Sequence, residues 1–323
     1  MEKDLVSIIT PCYNGESYLE KYFNSLLNQT YKKIEIIFIN DGSSDNTEVI
    51  AKKFGQKLNN KGYKFIYIYQ KNAGQAVALN KGLKIFKGEY LTWPDADDIL
   101  YKDSIEKKVG FLKEKQNYDL VRTAVNIVDF KTGKKIGEFK LSHAKEDIFE
   151  DLIFGKDVFY APVSYMIRAE KFLEVNPTRK IFETRFGQNW QVLLPVSYNA
   201  KCGYIDEKLC EYIVRNDSHS RTKSKSIEEE EDKAKKHIEI LENVLKPMGL
   251  FEKYKNRIYE KYAKILLRQA FLFDNYKFAE KSMKIIKKYD KPNFKDYLYY
   301  YAVKYPIVGS IIKIIKNKNR VDT

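Results

Sequence analysis

Three carboxylates crowd into four residues at Asp95, Asp97 and Asp98, inside the stretch Trp93-Pro94-Asp95-Ala96-Asp97-Asp98. The stretch closes a short strand-like run, Tyr90-Leu91-Thr92. Like charges this close repel one another unless a cation or a hydrogen-bonding ligand offsets them. One or two carboxylates, with substrate phosphates filling the shell, are the usual way to hold magnesium or manganese. The chemistry on offer is therefore metal-assisted handling of a phosphorylated ligand. The same residues also have a purely structural use, as an acidic strand-to-helix turn in which Asp97 or Asp98 caps a helix from Ile99.

The elements before this stretch decide what it can meet. Leu5-Val6-Ser7-Ile8-Ile9-Thr10 reads as a buried strand, β-branched and stopped by Pro11. A turn with Asn14-Gly15 follows, and residues 18–29 carry Leu19, Tyr22, Phe23, Leu26 and Leu27 at helical spacing. Residues 34–40 read as a second buried strand. Asp41-Gly42-Ser43-Ser44-Asp45 is a polar turn whose Asp45 caps a helix over 46–57. The pattern then predicts a strand at 65–69, a turn at 71–74, a helix at 75–86 and a fourth strand at 90–92. Short apolar strands alternating with amphipathic helices predict an α/β fold, a parallel sheet covered on both faces. Ligands of such sheets bind beyond the carboxyl ends of the strands. Residues 10–14, 40–43, 72–74 and 95–98 all fall at those ends. Polar turns are expected there in any such fold, and the three carboxylates are what single this edge out.

The turn after the first strand, Thr10-Pro11-Cys12-Tyr13-Asn14-Gly15, lacks the Gly-x-Gly-x-x-Gly of dinucleotide-binding folds. No Walker-type phosphate loop is present either, so phosphates would depend on a metal at the aspartates. The chain's 323 residues suffice for one large domain and a smaller one. Charged residues make up 32% and hydrophobic residues 44%, a globular balance and not a disordered one. No run of about 18 apolar residues occurs, so no transmembrane helix is expected. Met1-Glu2-Lys3-Asp4 leads straight into a strand without an apolar signal core, which points to the cytoplasm. Cys12, Cys202 and Cys210 show no metal-ligand spacing and are expected to be buried thiols of a reducing compartment. His143 and His237 are expected at the surface.

These residues carry a resemblance. Val6-Ser7-Ile8-Ile9-Thr10-Pro11-Cys12-Tyr13-Asn14, then Asn40-Asp41-Gly42-Ser43-Ser44-Asp45, then Asn72-Ala73-Gly74, then Asp95-Ala96-Asp97-Asp98 resembles family 2 glycosyltransferases. The four motifs come in order over the first hundred residues, and a weaker likeness runs on to Arg221. The resemblance implies a GT-A fold, a Rossmann-like nucleotide-binding sheet joined to an acceptor-binding half. It also implies a nucleotide-sugar donor, Mn2+ or Mg2+, and inversion at the anomeric carbon. Carried over, Thr10, Pro11 and Tyr13 frame the base, Asn14 belongs to the nucleotide-sugar site with them, and Asp41 accepts a hydrogen bond from the base, which favours uracil. Asn72 approaches the nucleotide, with Lys71 near the phosphates. Asp95 meets the ribose or the metal shell, and Asp97 ligates the metal on the diphosphate. Arg215, in Arg215-Asn216-Asp217-Ser218-His219-Ser220, is a phosphate partner, and His219 is a metal or phosphate contact. The blander readings are a packed turn aromatic for Tyr13 and an exposed loop residue for His219.

In the acceptor half, a helix is expected over 105–115, a strand over 120–130 closing a hairpin through the turn at 131–134, and a short helix over 148–154. A strand over 161–167 and a helix near 169–172 follow. Residues 203–215 read as a pair of strands. Here the chain departs from the family, whose members commonly carry Glu-Asp before an aromatic, the Asp serving as general base. This chain reads Gln188-Asn189 before Trp190. An amide takes no proton near neutral pH, so three explanations stand. Another carboxylate serves as base, Glu183 being nearest in sequence. Alternatively, Gln188 and Asn189 orient the acceptor while a different group takes the proton. In the third, the protein binds a nucleotide sugar or acts as a scaffold with low or no turnover. For Glu183 the plain reading is a solvated surface carboxylate.

Net charge is +14, and residues 246–323 hold 19 Lys and Arg against 7 Asp and Glu. Such a tail suits nucleic acid, anionic lipid or another anionic partner; a codon pool biased to Lys, Ile, Asn and Tyr would raise it too. No helix-turn-helix, zinc finger or aromatic RNA-binding signature appears, and nucleic acid is not an expected partner. Ser226 caps an acidic helix start. Further helices are expected over 254–273 and 278–289. Residues 297–315 are aromatic, then apolar, with Lys304, Lys313 and Lys316 between, which suits a helix in a membrane interface or a helix packed on a neighbour. Residues 1–221 are thus expected to form the GT-A domain, and 222–323 a basic, mostly helical region in contact with anionic membrane. The expected protein is a metal-dependent inverting hexosyltransferase. It would move a sugar from a UDP-sugar to a glycan or lipid-linked acceptor at the inner face of the cell membrane.

Overall fold

The computed structural model describes residues 1–215 and 224–305, together with residues 307 and 309. The chain divides into two compact units, Met1–His219 and Ser220–Thr323.

The first unit opens with alternating strands and helices: β1 (Glu2–Cys12), α1 (Leu19–Leu27), β2 (Ile34–Asn40), α2 (Thr47–Asn60), β3 (Lys64–Tyr69), α3 (Gln75–Ile85) and β4 (Gly88–Thr92). β2 is buried at every position, as a strand covered on both faces must be. β3, β2, β1 and β4 lie side by side in that order, all parallel. The chain winds from β1 to β2 to β3, then returns across β1 to lay down β4. The direction of winding therefore reverses between β1 and β4, which is where sheets of this class open a ligand crevice. Between α1, α2 and the sheet, Phe23 contacts Phe38, Phe54 and Phe65 with ring centres 5.3–5.9 Å apart.

The sheet continues with antiparallel and mixed pairings. After β4 come β5 (Ile99–Leu100), α4 (Ser104–Glu114), β6 (Leu120–Asp129), β7 (Lys135–Phe139), α5 (Phe149–Phe154) and a 3-10 turn at Pro162–Ser164. Then follow β8 (Tyr165–Arg168), α6 (Ala169–Val175), α7 (Gln188–Ser197) and β9 (Cys202–Val214). β8 joins β4, β6 joins β8, β9 joins β6 and β5 joins β9, with β7 on the other edge of β6.

Four sequence expectations are corrected. No helix starts at Ile99: residues 99–100 pair with β9, and the helix waits until Ser104. Residues 203–215 form no pair of strands but one, because Asp206-Glu207 is a bulge. Thr123 is opposite Ile205 and Ala124 opposite Lys208, so two residues of β9 are extruded without a reversal, and a third is extruded before Glu211 comes opposite Asn126. The strand expected over 161–167 begins only at Tyr165, Pro162 having no N–H for a ladder. His237 is half-buried, its ring 5.8 Å from Tyr262, and burial lowers its pKa. The three cysteines are buried and free, and burial keeps each thiol protonated.

The second unit is helical: α8 (Ile227–Leu245), α9 (Phe251–Leu272), α10 (Tyr276–Tyr289) and α11 (Phe294–Lys304). Ser226 accepts from the Glu229 N–H, Asn275 from Phe278, and Asn293 with Asp296 forms a reciprocal capping box. α9 packs against the other three helices through Leu267, Ala270 and Phe271. No helix among the described residues is long and apolar enough to cross a membrane.

Lys108 of α4 is wholly buried, its ammonium donating to the Val163 carbonyl at 2.6 Å. Burial pulls its pKa down to about 8, below its value in the unfolded chain. Between those values the unfolded chain holds the proton more tightly, so this group's share of stability rises with pH. Replacement by methionine should therefore gain most below pH 8, and the gain should shrink by about 2–3 kcal/mol as pH approaches 10–11. Denaturant unfolding of wild type and Lys108→Met across that range reads the difference.

Candidate functional site

The turns after β1, β2, β3 and β4 meet at one edge and are bonded to one another. In the first, Asn14 sits at φ 51°, its N–H donates to Ser43 at 2.9 Å, and its side-chain oxygen accepts from the Ser44 N–H at 2.9 Å. Gly15 N–H donates to Thr47 at 2.7 Å and Glu16 N–H to Asp45 at 2.9 Å. Asp45 precedes the helix cap and also accepts from the Thr47 N–H at 3.0 Å. Thr10 and Pro11 are buried in β1, and the Thr10 hydroxyl is bonded to that of Tyr22. Tyr13, beyond them, is 49% exposed.

Asp41 anchors the third turn. One of its oxygens accepts from the Gln70 side chain at 2.7 Å and the Ala73 N–H at 2.9 Å, the other from the Gly74 N–H at 2.9 Å. Gly42 beside it is at φ 75°, and a Cβ there would lie 2.5 Å from the Asn72 nitrogen. The third turn is thus seated directly on the second. Asn72 also accepts from Arg185 at 3.4 Å, and Lys71 is exposed.

The acidic stretch closes the site from β4. Asp98 is fully buried, and one oxygen accepts from the Ile213 N–H of β9 at 3.0 Å while the other has no hydrogen-bond partner among the described residues. Burial, then the charges of Asp97 and Asp95, hold its carboxyl well above the usual range. Burial and the Asp97 charge push Asp95 up to about 7, against a hydrogen bond from Gln75 at 2.5 Å. Asp97 keeps a quarter of its side chain open to solvent and lies 3.6 Å from the Arg215 guanidinium. That guanidinium stacks 4.4 Å over the Tyr18 ring. A cleft of about 220 Å³ beside them is lined by Tyr18, Lys21, Asp97, Phe130 and Glu211. A larger hollow of about 540 Å³, between Met1, Glu89 and Arg168, lies near the opposite end of β4 and away from these groups.

Gln188 and Asn189, in the first turn of α7, reach this edge. Gln188 donates to Gln75 at 2.6 Å, so a chain of amides runs from α7 to Asp95. Asn189 accepts from the Trp93 indole at 3.1 Å and donates to the Tyr160 carbonyl at 3.0 Å. The indole is a donor only, which fixes the orientation of the amide. Glu183 is exposed and paired with Lys180 at 2.9 Å. His219 lies outside the described residues.

The donor set suits a hard divalent ion shared with a ligand. Among the described residues no three His, Cys, Asp or Glu form a ready cage. Asp97 keeps a quarter of its side chain open to solvent, and its charge adds to burial in raising the other two. One carboxylate completed by phosphate oxygens and water is a common arrangement for magnesium.

Several residues here escape sequence reasoning. Gln75, Gln70, Trp93 and Tyr160 connect the site, yet no motif marks them. For Gln75 the sole clue is its place directly after Asn72-Ala73-Gly74.

The comparisons with known proteins agree with this architecture. Residues 7–175, more than half of the chain, match the profile of glycosyl transferase family 2, and the chain belongs to that family. An uncharacterised glycosyltransferase of Rickettsia typhi is 45% identical over 117 residues, 36% of this chain and 35% of that protein. Glycosyltransferase GlyG of Streptococcus pneumoniae is 30% identical over 232 residues, 68% of this chain and 74% of that protein. The chain thus spans 31–35% of the length of three Rickettsia relatives. In fold it is similar to S. aureus TarS 1–349, solved in complex with UDP-GlcNAc. There the TM-score is 0.60 at 19% identity, over 93% of this chain and 79% of that one.

Restoring a carboxylate at residue 189 should not repair a base. Asn189→Asp removes the donor to the Tyr160 carbonyl and sets two acceptors against each other, a loss of about 1–3 kcal/mol. The expected result is a lower melting temperature than wild type at pH 7–8, read by calorimetry.

Proposed function

We propose that the chain is an inverting glycosyltransferase that takes a sugar from a nucleoside diphosphate sugar, a UDP-sugar by preference. The acceptor is a hydroxyl of a growing surface or lipid-linked glycan at the inner face of the cell membrane. The observation that carries this reading is the acidic stretch at the β1/β4 switch point, bonded to both halves of the unit. The family match and the UDP-GlcNAc bound by TarS support it.

In this reading Tyr13 packs on the base and the turn seated on Asp41 borders it. Asp41 has capacity left on the oxygen that takes only the Gly74 N–H. Asp97 is the carboxylate that would hold Mn2+ or Mg2+, with Asp95 in the outer shell or at the ribose. The ion supplies positive charge against the leaving diphosphate. Arg215, which offsets Asp97 here, is a cation within reach of the same phosphates. The acceptor hydroxyl attacks from the face opposite the leaving group. Gln188 and Asn189 brace the acceptor side and take no proton. General-base help is worth about 10²–10⁴ in rate, so transfer can proceed without a carboxylate at their position.

A second reading, a nucleotide-sugar-binding protein of low or no turnover, is favoured by one observation. Both amides at the usual base position are committed to hydrogen bonds, and Glu183 is committed to Lys180. Metal-dependent transfer or donor hydrolysis, lost in Asp97→Ala, excludes that reading.

A thermal-shift panel of nucleoside diphosphates with and without Mn2+ tests the donor site. UDP with Mn2+ should raise the melting temperature, by about 2.7 kcal/mol of stability at a hundredfold excess over Kd, and Asp97→Asn should lose the shift. No shift with any nucleotide would leave the acidic stretch a structural turn.

A further inference from the structure

α11 has one dry face and one aromatic face. Ala302 and Val303 are buried in the helical unit, and Asp296 is buried in the capping box, 3.7 Å from Lys264. The other face shows solvent Phe294 at 80% exposure, Tyr297 at 38%, Tyr301 at 44% and Tyr305 at 51%. These positions recur every three or four residues, so they form one stripe. The tyrosines stack along it, with ring centres 6.2 Å and 6.1 Å apart and planes within 18°. Water gives such a row no reason to stay bare, and exposed apolar stripes of this kind mark contact surfaces.

Charge says what the surface fits. Asp296 is the sole acidic residue of α11 and faces inward. Lys295 and Lys304 are exposed, and the Lys304 ammonium lies 5.7 Å from the Tyr305 ring centre. The chain entering α11 adds exposed Lys287, Lys288 and Lys291. With exposed Asp290 counted among them, the stripe and the chain entering it carry five ammonium groups against one exposed carboxylate. Tyrosine has an apolar body and a polar tip, which suits the depth where acyl chains meet headgroups, and lysine pairs with lipid phosphate. Protein interfaces are depleted in lysine, so the ammonium groups beside the rings favour lipid phosphate over a protein partner. The eleven residues of α11 extend about 16 Å, too short to cross a bilayer and suitable for lying on one.

We propose that the outer face of α11, formed by Phe294, Tyr297, Tyr301 and Tyr305 with Lys295 and Lys304, docks on an anionic lipid bilayer and lies in its headgroup layer. The inference deepens the proposed function, on which it rests for the location of the acceptor. The face itself belongs to the helical unit alone.

Cosedimentation of the full chain with vesicles tests this. Vesicles of phosphatidylcholine mixed with phosphatidylglycerol should bind the chain, and phosphatidylcholine alone much less. The triple change Tyr297→Ser, Tyr301→Ser and Tyr305→Ser should weaken binding about tenfold or more. Its melting temperature and circular dichroism should stay near wild type, since the replaced rings are exposed; should they fall, Tyr301→Ser alone is the variant to measure. Three outcomes overturn the proposal. The wild type binds neither vesicle, or the serine variant binds as wild type does, which would leave only general charge attraction. In the third, the stripe instead drives concentration-dependent dimerisation without lipid, which would assign it to a second copy. The UDP–Mn2+ thermal shift on the same samples separates failure of this inference from failure of the donor site.

Discussion

Negative charge packed at the end of β4 is the constraint on which the first unit depends. Each of the three carboxylates is answered from a different part of the chain. Gln75 of α3 donates to Asp95, the Ile213 amide of β9 to Asp98, and the Arg215 guanidinium lies beside Asp97. Gln75 belongs to the parallel half, and β9 to the mixed half beyond β4. The charge that would make the site useful thus also holds the halves together. Two of the carboxylates are pushed toward their neutral forms by burial, while Asp97 keeps its access to water. The division of labour follows from environment alone, since the three side chains are identical.

The amide pair at the start of α7 is part of the same arrangement. A carboxylate there would add a fourth acidic group to an already crowded edge, against the Tyr160 carbonyl and near Asp95. Amides can both donate and accept, so they pass one direction of hydrogen bonding from α7 through Gln75 to Asp95. What the chain gives up in basicity it gains in connection between the loop around Trp93 and the helix facing it.

Much of this was legible in the residues. The parallel strands follow from apolar runs broken by polar turns, and the site edge from where those turns fall. The family likeness follows from four motifs in order. Other features were not legible, for identifiable physical reasons. Asp98 reads as a helix cap because Asp before Ile is a common cap pattern, yet a distant strand supplied the partner for residues 99–100. Asp206-Glu207 reads as a hairpin turn because polar pairs end strands, yet the neighbouring β6 keeps both sides in one ladder. The contacts of Gln75 and Trp93 carry no local signal, since their partners are separated from them by roughly 20–110 positions in sequence. The stripe on α11 was visible as tyrosine and lysine content, but its coherence needed the helix phase.

The bulge in β9 has a consequence of parity. Side chains of a strand alternate between faces with a period of two. Upstream of Asp206-Glu207 the strand is paired with β6 as part of the sheet, and downstream it delivers Ile213 and Arg215 to the acidic edge. Three residues of β9 are extruded against β6 in all, two at Asp206-Glu207 and one more between Lys208 and Glu211, so the alternation relative to β6 is reversed beyond them. Loss of one residue there would invert every later position, turning Arg215 from Asp97 and exchanging the wet and dry sides of the strand's end. Loss of two would keep the faces but draw the end back by about 7 Å. The odd offset between the two ends of the strand is thus what sets the face on which Arg215 meets Asp97, and only a change by an even number of residues would keep it.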